Sequence, residues 1–157
     1  IQSASQPHRF LSVTKSGDSA IVATKGNDTC HIILRGGKTG PNYDRESVAE
    51  VRKALEEKGL EPALMIDCSH ANSGKDYHNQ PGVAAEIGAQ IASGDTSIRA
   101  VMIESNLNEG AQKINSDRSK LEYGVSVTDS CVSWETTVKM IDQLATDVRK
   151  RRATFLA

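Results

Sequence analysis

Three stretches of the sequence decide the fold: HIILRGGK at 31–38, ALMIDCSHAN at 63–72 and RAVMIESNLNEG at 99–110. In each stretch, an apolar run typical of a buried strand is followed by an Arg, a His or a Glu. Helix-like segments separate the three stretches, and this alternation is typical of parallel α/β folds. Because the carboxyl ends of parallel strands hold the active site in such folds, we expect Arg35, His70 and Glu104 to share one pocket.

A β-hairpin is predicted upstream of the first of these strands. Residues 10–15 and 20–25 are β-prone runs on either side of Ser16-Gly17-Asp18, which has the composition of a turn. The predicted order is therefore hairpin, strand, helix, strand, helix, strand, long loop and helix. Three parallel strands alone leave open sheet edges, and a closed eight-stranded barrel that contained them as its last three units would remove those edges.

The spacing of apolar residues predicts three helices, over residues 44–58, 79–94 and 133–152. Asp44 is the expected N-cap of the first helix, and Asn79 or Gln80 is the expected N-cap of the second. The last helix has five apolar residues on one face, which we expect to be buried: Trp134, Val138, Ile141, Ala145 and Val148.

The composition is that of an ordinary globular domain. Of the 157 residues, 38% are hydrophobic and 25% are charged, which excludes collagen-like and strongly disordered classes. A formal net charge of -1 gives no general attraction to nucleic acids or anionic membranes, so neither is an expected partner. The basic run at 149–152 is explained by the end of a helix.

The sequence also bears on location. No apolar run approaches the roughly 18 residues of a membrane span, and the first ten residues lack the apolar core of a secretory signal. Cys30, Cys68 and Cys131 form no CxxC pair, which favours buried thiols in a reducing compartment. We therefore expect a cytoplasmic protein, and the start at Ile1 favours a piece of a longer polypeptide.

Arg35 is a candidate phosphate ligand. A guanidinium can hold a phosphate with two parallel hydrogen bonds, and the two glycines that follow allow backbone N–H groups to approach an anion. The alternative is a strand-end Arg in a surface ion pair before a flexible turn, since Gly-Gly is a common turn sequence. Spacing alone leaves both interpretations open.

His70, Glu104 and Asp129 are candidate ligands of a metal ion. Taken singly, His70 could be a hydrogen-bonded or capping histidine, and Asp129 a turn residue. Glu104 follows a strand that we expect to be buried on both faces, where a carboxylate needs a cation or a shared proton. Together, one imidazole and two carboxylates suit Mn²⁺, Fe²⁺, Co²⁺ or Zn²⁺.

These motifs resemble those of class I 3-deoxy-D-arabino-heptulosonate 7-phosphate (DAHP) synthases. The matching pieces, in order, are HRFLSVTKSGDSAIV, CHIILRGGK, PNY, MIDCSHANSGK, VMIESNLNEGAQ and YGVSVTDSCVSWE. The resemblance implies that residues 30–152 are the last three βα units of a (β/α)₈ (TIM) barrel. It also implies the condensation of phosphoenolpyruvate with erythrose 4-phosphate, the first step of the shikimate pathway.

The resemblance assigns roles to the candidate residues. His70, Glu104 and Asp129 correspond to three of the family's four metal ligands, and Arg35 to a contact with the phosphate of phosphoenolpyruvate. The fourth ligand of the family is a cysteine far upstream, and upstream Arg and Lys residues also bind the substrates. These residues alone are therefore expected to be unstable and inactive without the N-terminal half of the barrel, and the family commonly forms homo-oligomers.

The predicted hairpin, over residues 8–26, resembles a regulatory addition that binds an aromatic amino acid. Phe10, Ser12 and Val22 match positions that line that site, and serine at position 12 resembles the phenylalanine-sensitive type. Several local variants resemble fungal sequences. An alternative to the enzyme is a noncatalytic module of the same fold that binds an aromatic amino acid or phosphate.

Overall fold

The computed structural model describes residues 1–156, with side chains described for residues 1–155. The chain divides into two compact units between Ile32 and Ile33. Of the helices described, none combines the length and the apolar character needed to cross a lipid bilayer.

The first unit contains the predicted hairpin. Strand β1 (Arg9–Val13) pairs antiparallel with β2 (Ser19–Ala23). The backbone N–H of Thr14 donates to the carbonyl of Asp18 over 2.9 Å and closes the turn, where Gly17 has a φ of +92°. The hairpin prediction is confirmed, although both strands begin and end one or two residues earlier than predicted. A short helix α1 (Gln2–Ser5), which the sequence did not predict, precedes it.

The second unit is built on a three-stranded sheet. Its strand order is β3 (Ile32–Leu34), β4 (Leu64–Asp67) and β5 (Ile98–Met102), and β4 and β5 run parallel. The two connections contain α2 (Arg45–Glu56) and α3 (Gln80–Ala92). The core is formed by apolar side chains of the strands and helices, with Val48, Leu64, Ile66 and Ile87 almost fully buried. The predicted alternation of strands and helices is therefore confirmed.

The helix ends show which caps the sequence predicted correctly. Asp44 caps α2, because its carboxylate accepts from the backbone N–H and the hydroxyl of Ser47. At the start of α3, Asn79 occupies the cap position but its side chain donates to the carbonyl of Ser73. Gln80 is the first residue of α3, and its side chain points to a different segment. The predicted side-chain cap of this second helix is therefore wrong.

The last helix, α4 (Trp134–Leu156), buries a different face from the predicted one. Trp134 is 58% exposed and Ile141 is 50% exposed, whereas Thr137, Met140 and Asp147 are buried. The reason lies in α3, against which α4 packs. Small residues of α3, such as Ala84 and Gly88, allow close approach of Met140 and Asp147.

Two further findings correct the expected third strand. β5 ends at Met102, two residues before Glu104, and its residues after Ile98 are half-buried or exposed, not buried on both faces. The chain then forms β6 (Ser105–Asn106), which pairs parallel with β7 (Val132–Ser133). The sequence predicted a long loop running directly into the last helix, because a two-residue strand is too short to show alternation.

Two glycines of α3 test how closely the helices pack. A Cβ atom at Gly88 would overlap the buried carboxylate of Asp147, whereas one at Gly82 would meet nothing within 4 Å. The Asp147 carboxylate accepts from Gln143 and Lys150, which restrains it. We expect Gly88→Ala to lower the free energy of unfolding by about 1 kcal/mol. Gly82→Ala should raise it by up to about 1 kcal/mol, since alanine favours helix.

Urea denaturation of the two variants and the wild type checks this difference. Equal effects of the two substitutions would contradict the close approach of α4 at Gly88.

Candidate functional site

A cavity of about 330 Å³ opens at the carboxyl ends of the strands of the second unit. Arg35 follows β3, His70 follows β4 and Glu104 follows β5, and all three line this cavity together with Asp129. The structure therefore brings the residues that the strand ends singled out into one place. Their individual roles stay predictions.

Three of these side chains form a cluster that can hold a metal ion. His70 Nε2 lies 3.7 Å from Glu104 Oε1 and 4.0 Å from Asp129 Oδ2, and one ligand atom from each residue lies within 4.8 Å of the others. Two ligands that each lie about 2.1 Å from one ion are at most about 4.2 Å apart. Small rotations of the side chains therefore suffice to bring all three onto one ion.

The His70 ring is oriented by a buried carboxylate. Its Nδ1 lies 2.7 Å from Oδ2 of Asp67, a residue that is only 1% exposed. The other oxygen of Asp67 accepts from the backbone N–H and the hydroxyl of Ser69. Because a carboxylate only accepts, the ring hydrogen belongs on Nδ1, and Nε2 presents its lone pair to the cluster. The backbone of His70 has a left-handed φ of +49°, which is unusual outside glycine.

The Glu104 carboxyl lies in an environment that opposes its ionisation. Burial raises its pKa above the ordinary value, and the negative charges of Asp129 and Asp67 also raise it, while the His70 ring lowers it. A cation between His70, Glu104 and Asp129 would remove this penalty. The donor set of one imidazole and two carboxylates fits a divalent ion such as Mn²⁺, Fe²⁺, Co²⁺ or Zn²⁺.

The glycines after Arg35 serve the fold of the loop. The N–H of Gly36 donates to Oδ1 of Asn42 over 2.7 Å, and that of Gly37 donates to the carbonyl of Gly40 over 2.9 Å. The expectation that these amides are free to bind an anion is therefore wrong. Gly36 has a φ of +74°, and a Cβ there would lie 2.9 Å from the backbone nitrogen of Asn72, so close approach of two loops requires glycine.

Asn72 joins the Arg35 loop to the His70 loop. Its buried amide donates to the carbonyls of Leu34 and Asp67 over 3.1 and 2.8 Å, and its oxygen accepts from the N–H of Asn42. The Arg35 guanidinium itself makes no hydrogen bond or ion pair with any of residues 1–155. A surface ion pair, the alternative explanation for Arg35, is therefore not observed in the part of the chain that the structure describes.

The cysteines do not belong to the cluster. Burial, and then the charge of Asp67, raise the pKa of Cys68 to about 12, so it stays a neutral thiol. Burial also raises the pKa of Cys131. The prediction of buried thiols is confirmed for these two residues, whereas Cys30 is only half-buried.

Sequence reasoning missed several residues that shape the cavity. Lys75, which has a left-handed φ of +63°, and Tyr77 line it, and so does Gln80. Asp67 could have been found, because it stands three residues before His70 in DCSH at the end of a strand. Gln80 carries no local signal, since its partner lies 24 residues further along the chain.

Comparison with known proteins follows from this geometry. The model of the DAHP synthetase I family matches residues 1–142. The chain belongs to this family. It is 55% identical to a tyrosine-inhibited phospho-2-dehydro-3-deoxyheptonate aldolase, another name for DAHP synthase, from Schizosaccharomyces pombe, with 97% of this chain and 42% of that protein covered. It is 51% identical to a phenylalanine-inhibited one from Saccharomyces cerevisiae, with 97% and 43% covered.

A solved structure of the same family gives a close spatial match. The phospho-2-dehydro-3-deoxyheptonate aldolase from Francisella tularensis SCHU S4 superimposes with a TM-score of 0.88 at 51% identity, over 96% of this chain and 43% of that one. The mixed α/β fold is thus the fold of one part of a family member. The chain spans about two fifths of the length of the relatives it matches.

The raised pKa of Glu104 predicts a stability effect in the metal-free protein. Because the folded state holds this proton more tightly than the unfolded state, stability from this group is full below the ordinary value of 4.5 and is lost as the pH rises through the raised pKa. We expect Glu104→Gln to raise the thermal midpoint at pH 7 without metal, and the gain to shrink towards pH 4.5. With Mn²⁺ added, only the wild type should gain stability.

Glu50→Gln is the matched control, since Glu50 lies exposed on α2. It should behave like the wild type in both conditions. A midpoint of metal-free Glu104→Gln below that of the wild type at pH 7 would contradict this account of the site.

Proposed function

We propose that the chain is the C-terminal part of the (β/α)₈ barrel of a cytoplasmic, metal-dependent DAHP synthase. Its reaction would be the condensation of phosphoenolpyruvate with erythrose 4-phosphate to give DAHP and phosphate, the first step of aromatic amino-acid biosynthesis. The observation that carries the proposal is the cluster of His70, Glu104 and Asp129 beside Arg35 in one cavity, in a chain of this family.

The metal site supports a condensation with an aldehyde. His70, Glu104 and Asp129 would hold the ion, and a bound divalent ion supplies Lewis acidity that polarises the aldehyde of erythrose 4-phosphate. Asp67 keeps the hydrogen on Nδ1 of His70 and so keeps Nε2 available. Three ligands from this chain leave room for a fourth, which we assign to a cysteine in the upstream part of the protein.

Arg35 would position the other substrate. Its guanidinium can hold the phosphate of phosphoenolpyruvate with two hydrogen bonds, so that C3 faces the aldehyde carbon. The new C–C bond forms between these two carbons, and the aldehyde oxygen becomes a hydroxyl after it takes up a proton. Water then adds to C2, and inorganic phosphate leaves.

We propose that residues 30–152 work only together with the N-terminal half of the same barrel. Apolar side chains that a closed barrel or an oligomer would cover are exposed in the described chain. Ile33 of β3 is 51% exposed, and Trp134 and Ile141 of α4 are also exposed. This pattern supports an upstream half and a homo-oligomer as partners, and it predicts that the 157 residues alone are inactive.

The test of the proposed chemistry compares two conservative substitutions in the full-length protein. Arg35→Lys keeps the charge but loses the two-pronged grip, which is worth about 1.5–3 kcal/mol, so KM for phosphoenolpyruvate should rise about tenfold or more. Arg99→Lys is the control, because Arg99 makes only an exposed ion pair with Glu61 and should keep wild-type kinetics.

His70→Ala in the same protein should abolish both Mn²⁺ binding and consumption of phosphoenolpyruvate. A protein that folds, binds an aromatic amino acid or phosphate and consumes no phosphoenolpyruvate would be the noncatalytic module. Unchanged KM in Arg35→Lys would remove Arg35 from the substrate site.

We further propose that the hairpin, residues 8–26, binds phenylalanine as a feedback inhibitor. Phe10 lies directly opposite Val22 in the antiparallel pair, and Ser12, two residues along β1, falls on the same face. The three residues therefore form one continuous surface that an aromatic ring could contact. The hydroxyl of Ser12 leaves less room for the hydroxyl of tyrosine than glycine would.

Titration of the full-length enzyme with each amino acid tests this proposal. Phenylalanine should inhibit at lower concentration than tyrosine, and Ser12→Gly should shift the preference towards tyrosine. Stronger inhibition of the wild type by tyrosine would refute the assignment.

A further inference from the structure

Gln80 is a fully buried polar residue that lies beside the metal-ligand cluster without belonging to it. It is 0% exposed and is the first residue of α3. Its Oε1 accepts from the backbone N–H of Glu104 over 3.0 Å, and its Nε2 donates to the carbonyl of Glu104 over 3.1 Å. Both polar atoms of the amide are therefore used on the backbone of one candidate ligand.

The same carbonyl of Glu104 also accepts from the backbone N–H of Val132 over 2.9 Å. Val132 begins β7, three residues after Asp129. Gln80 in turn stands at the end of the segment that begins with His70. The three segments that supply the cluster thus meet at the backbone of Glu104, and Gln80 provides two of the three hydrogen bonds there.

We propose that Gln80 is a positioning residue that sets the affinity and geometry of the metal site by fixing the backbone of Glu104. This inference rests on the proposed metal site. Without the Gln80 amide, the N–H of Glu104 loses its partner and the carbonyl keeps only Val132. The Glu104 carboxylate would then sample positions away from His70 and Asp129, so binding of the ion would have to order it.

Gln80→Met tests the inference, because methionine has nearly the same shape but makes no hydrogen bond of this kind. Gln90→Met is the matched control. Gln90 is 1% exposed in the same helix, and its Nε2 donates to the carbonyl of Tyr43, away from the cluster. Both substitutions remove a buried amide from α3, but only the first removes one from Glu104.

Three measurements on the full-length protein separate positioning from stability. The first is Mn²⁺ affinity by equilibrium dialysis, the second is the visible absorption of bound Co²⁺, and the third is the thermal midpoint without metal. We expect Gln80→Met to weaken Mn²⁺ binding about 10- to 100-fold and to alter the Co²⁺ spectrum. Gln90→Met should lower the thermal midpoint but leave Mn²⁺ affinity within about twofold and the spectrum unchanged.

Gln80→Asn serves as a second variant, since it keeps an amide but withdraws it by one methylene, and it should weaken Mn²⁺ binding as well. Wild-type affinity in either folded Gln80 variant, or an equal loss in Gln90→Met, would overturn the inference. Loss of folding in both Gln80 variants would overturn it too, by making Gln80 a purely structural residue. If the wild type binds no Mn²⁺, the proposed metal site itself fails.

Discussion

The parallel alignment of β4 and β5 is the constraint on which the site depends. Asp67 pairs with Met102, and the ladder continues one step further through the hydrogen bond from Cys68 N–H to the carbonyl of Met102. Because parallel strands end at the same edge, the residues that follow each strand are delivered to one place. His70 comes three residues after β4, and Glu104 comes two residues after β5. A shift of either strand in register would separate their ligand atoms.

The loops beyond that edge are held by side chains that imitate backbone pairing. The amide of Asn72 ties the Arg35 loop to the end of β4, and the amide of Gln80 ties the start of α3 to Glu104. Amides suit this purpose because each offers a donor and an acceptor of the kind that a peptide group offers. The result is a rigid frame made from irregular chain, in which carboxylates and an imidazole are concentrated at an energetic cost. The raised pKa of Glu104 expresses that cost, and a bound cation would offset it.

Local signals in the sequence predicted the frame well where the physics is local. Asp44 caps α2 because its side chain reaches Ser47, three residues away, and the strand ends were visible as apolar runs followed by polar residues. The buried face of α4 was predicted wrongly, because its apolar residues can be grouped into more than one stripe and the small residues of α3 decide between them. The same limit applies to Gln80 and to the amides of Gly36 and Gly37, whose partners depend on how distant or folded segments meet.

Anomalous scattering from crystals of the full-length protein grown with Mn²⁺ tests the central claim most directly. The account predicts one strong peak at about 2.0–2.3 Å from Nε2 of His70 and from carboxylate oxygens of Glu104 and Asp129. Nδ1 of His70 should remain bonded to Asp67. A peak elsewhere, or a site in which Glu104 or Asp129 does not ligate, would contradict it.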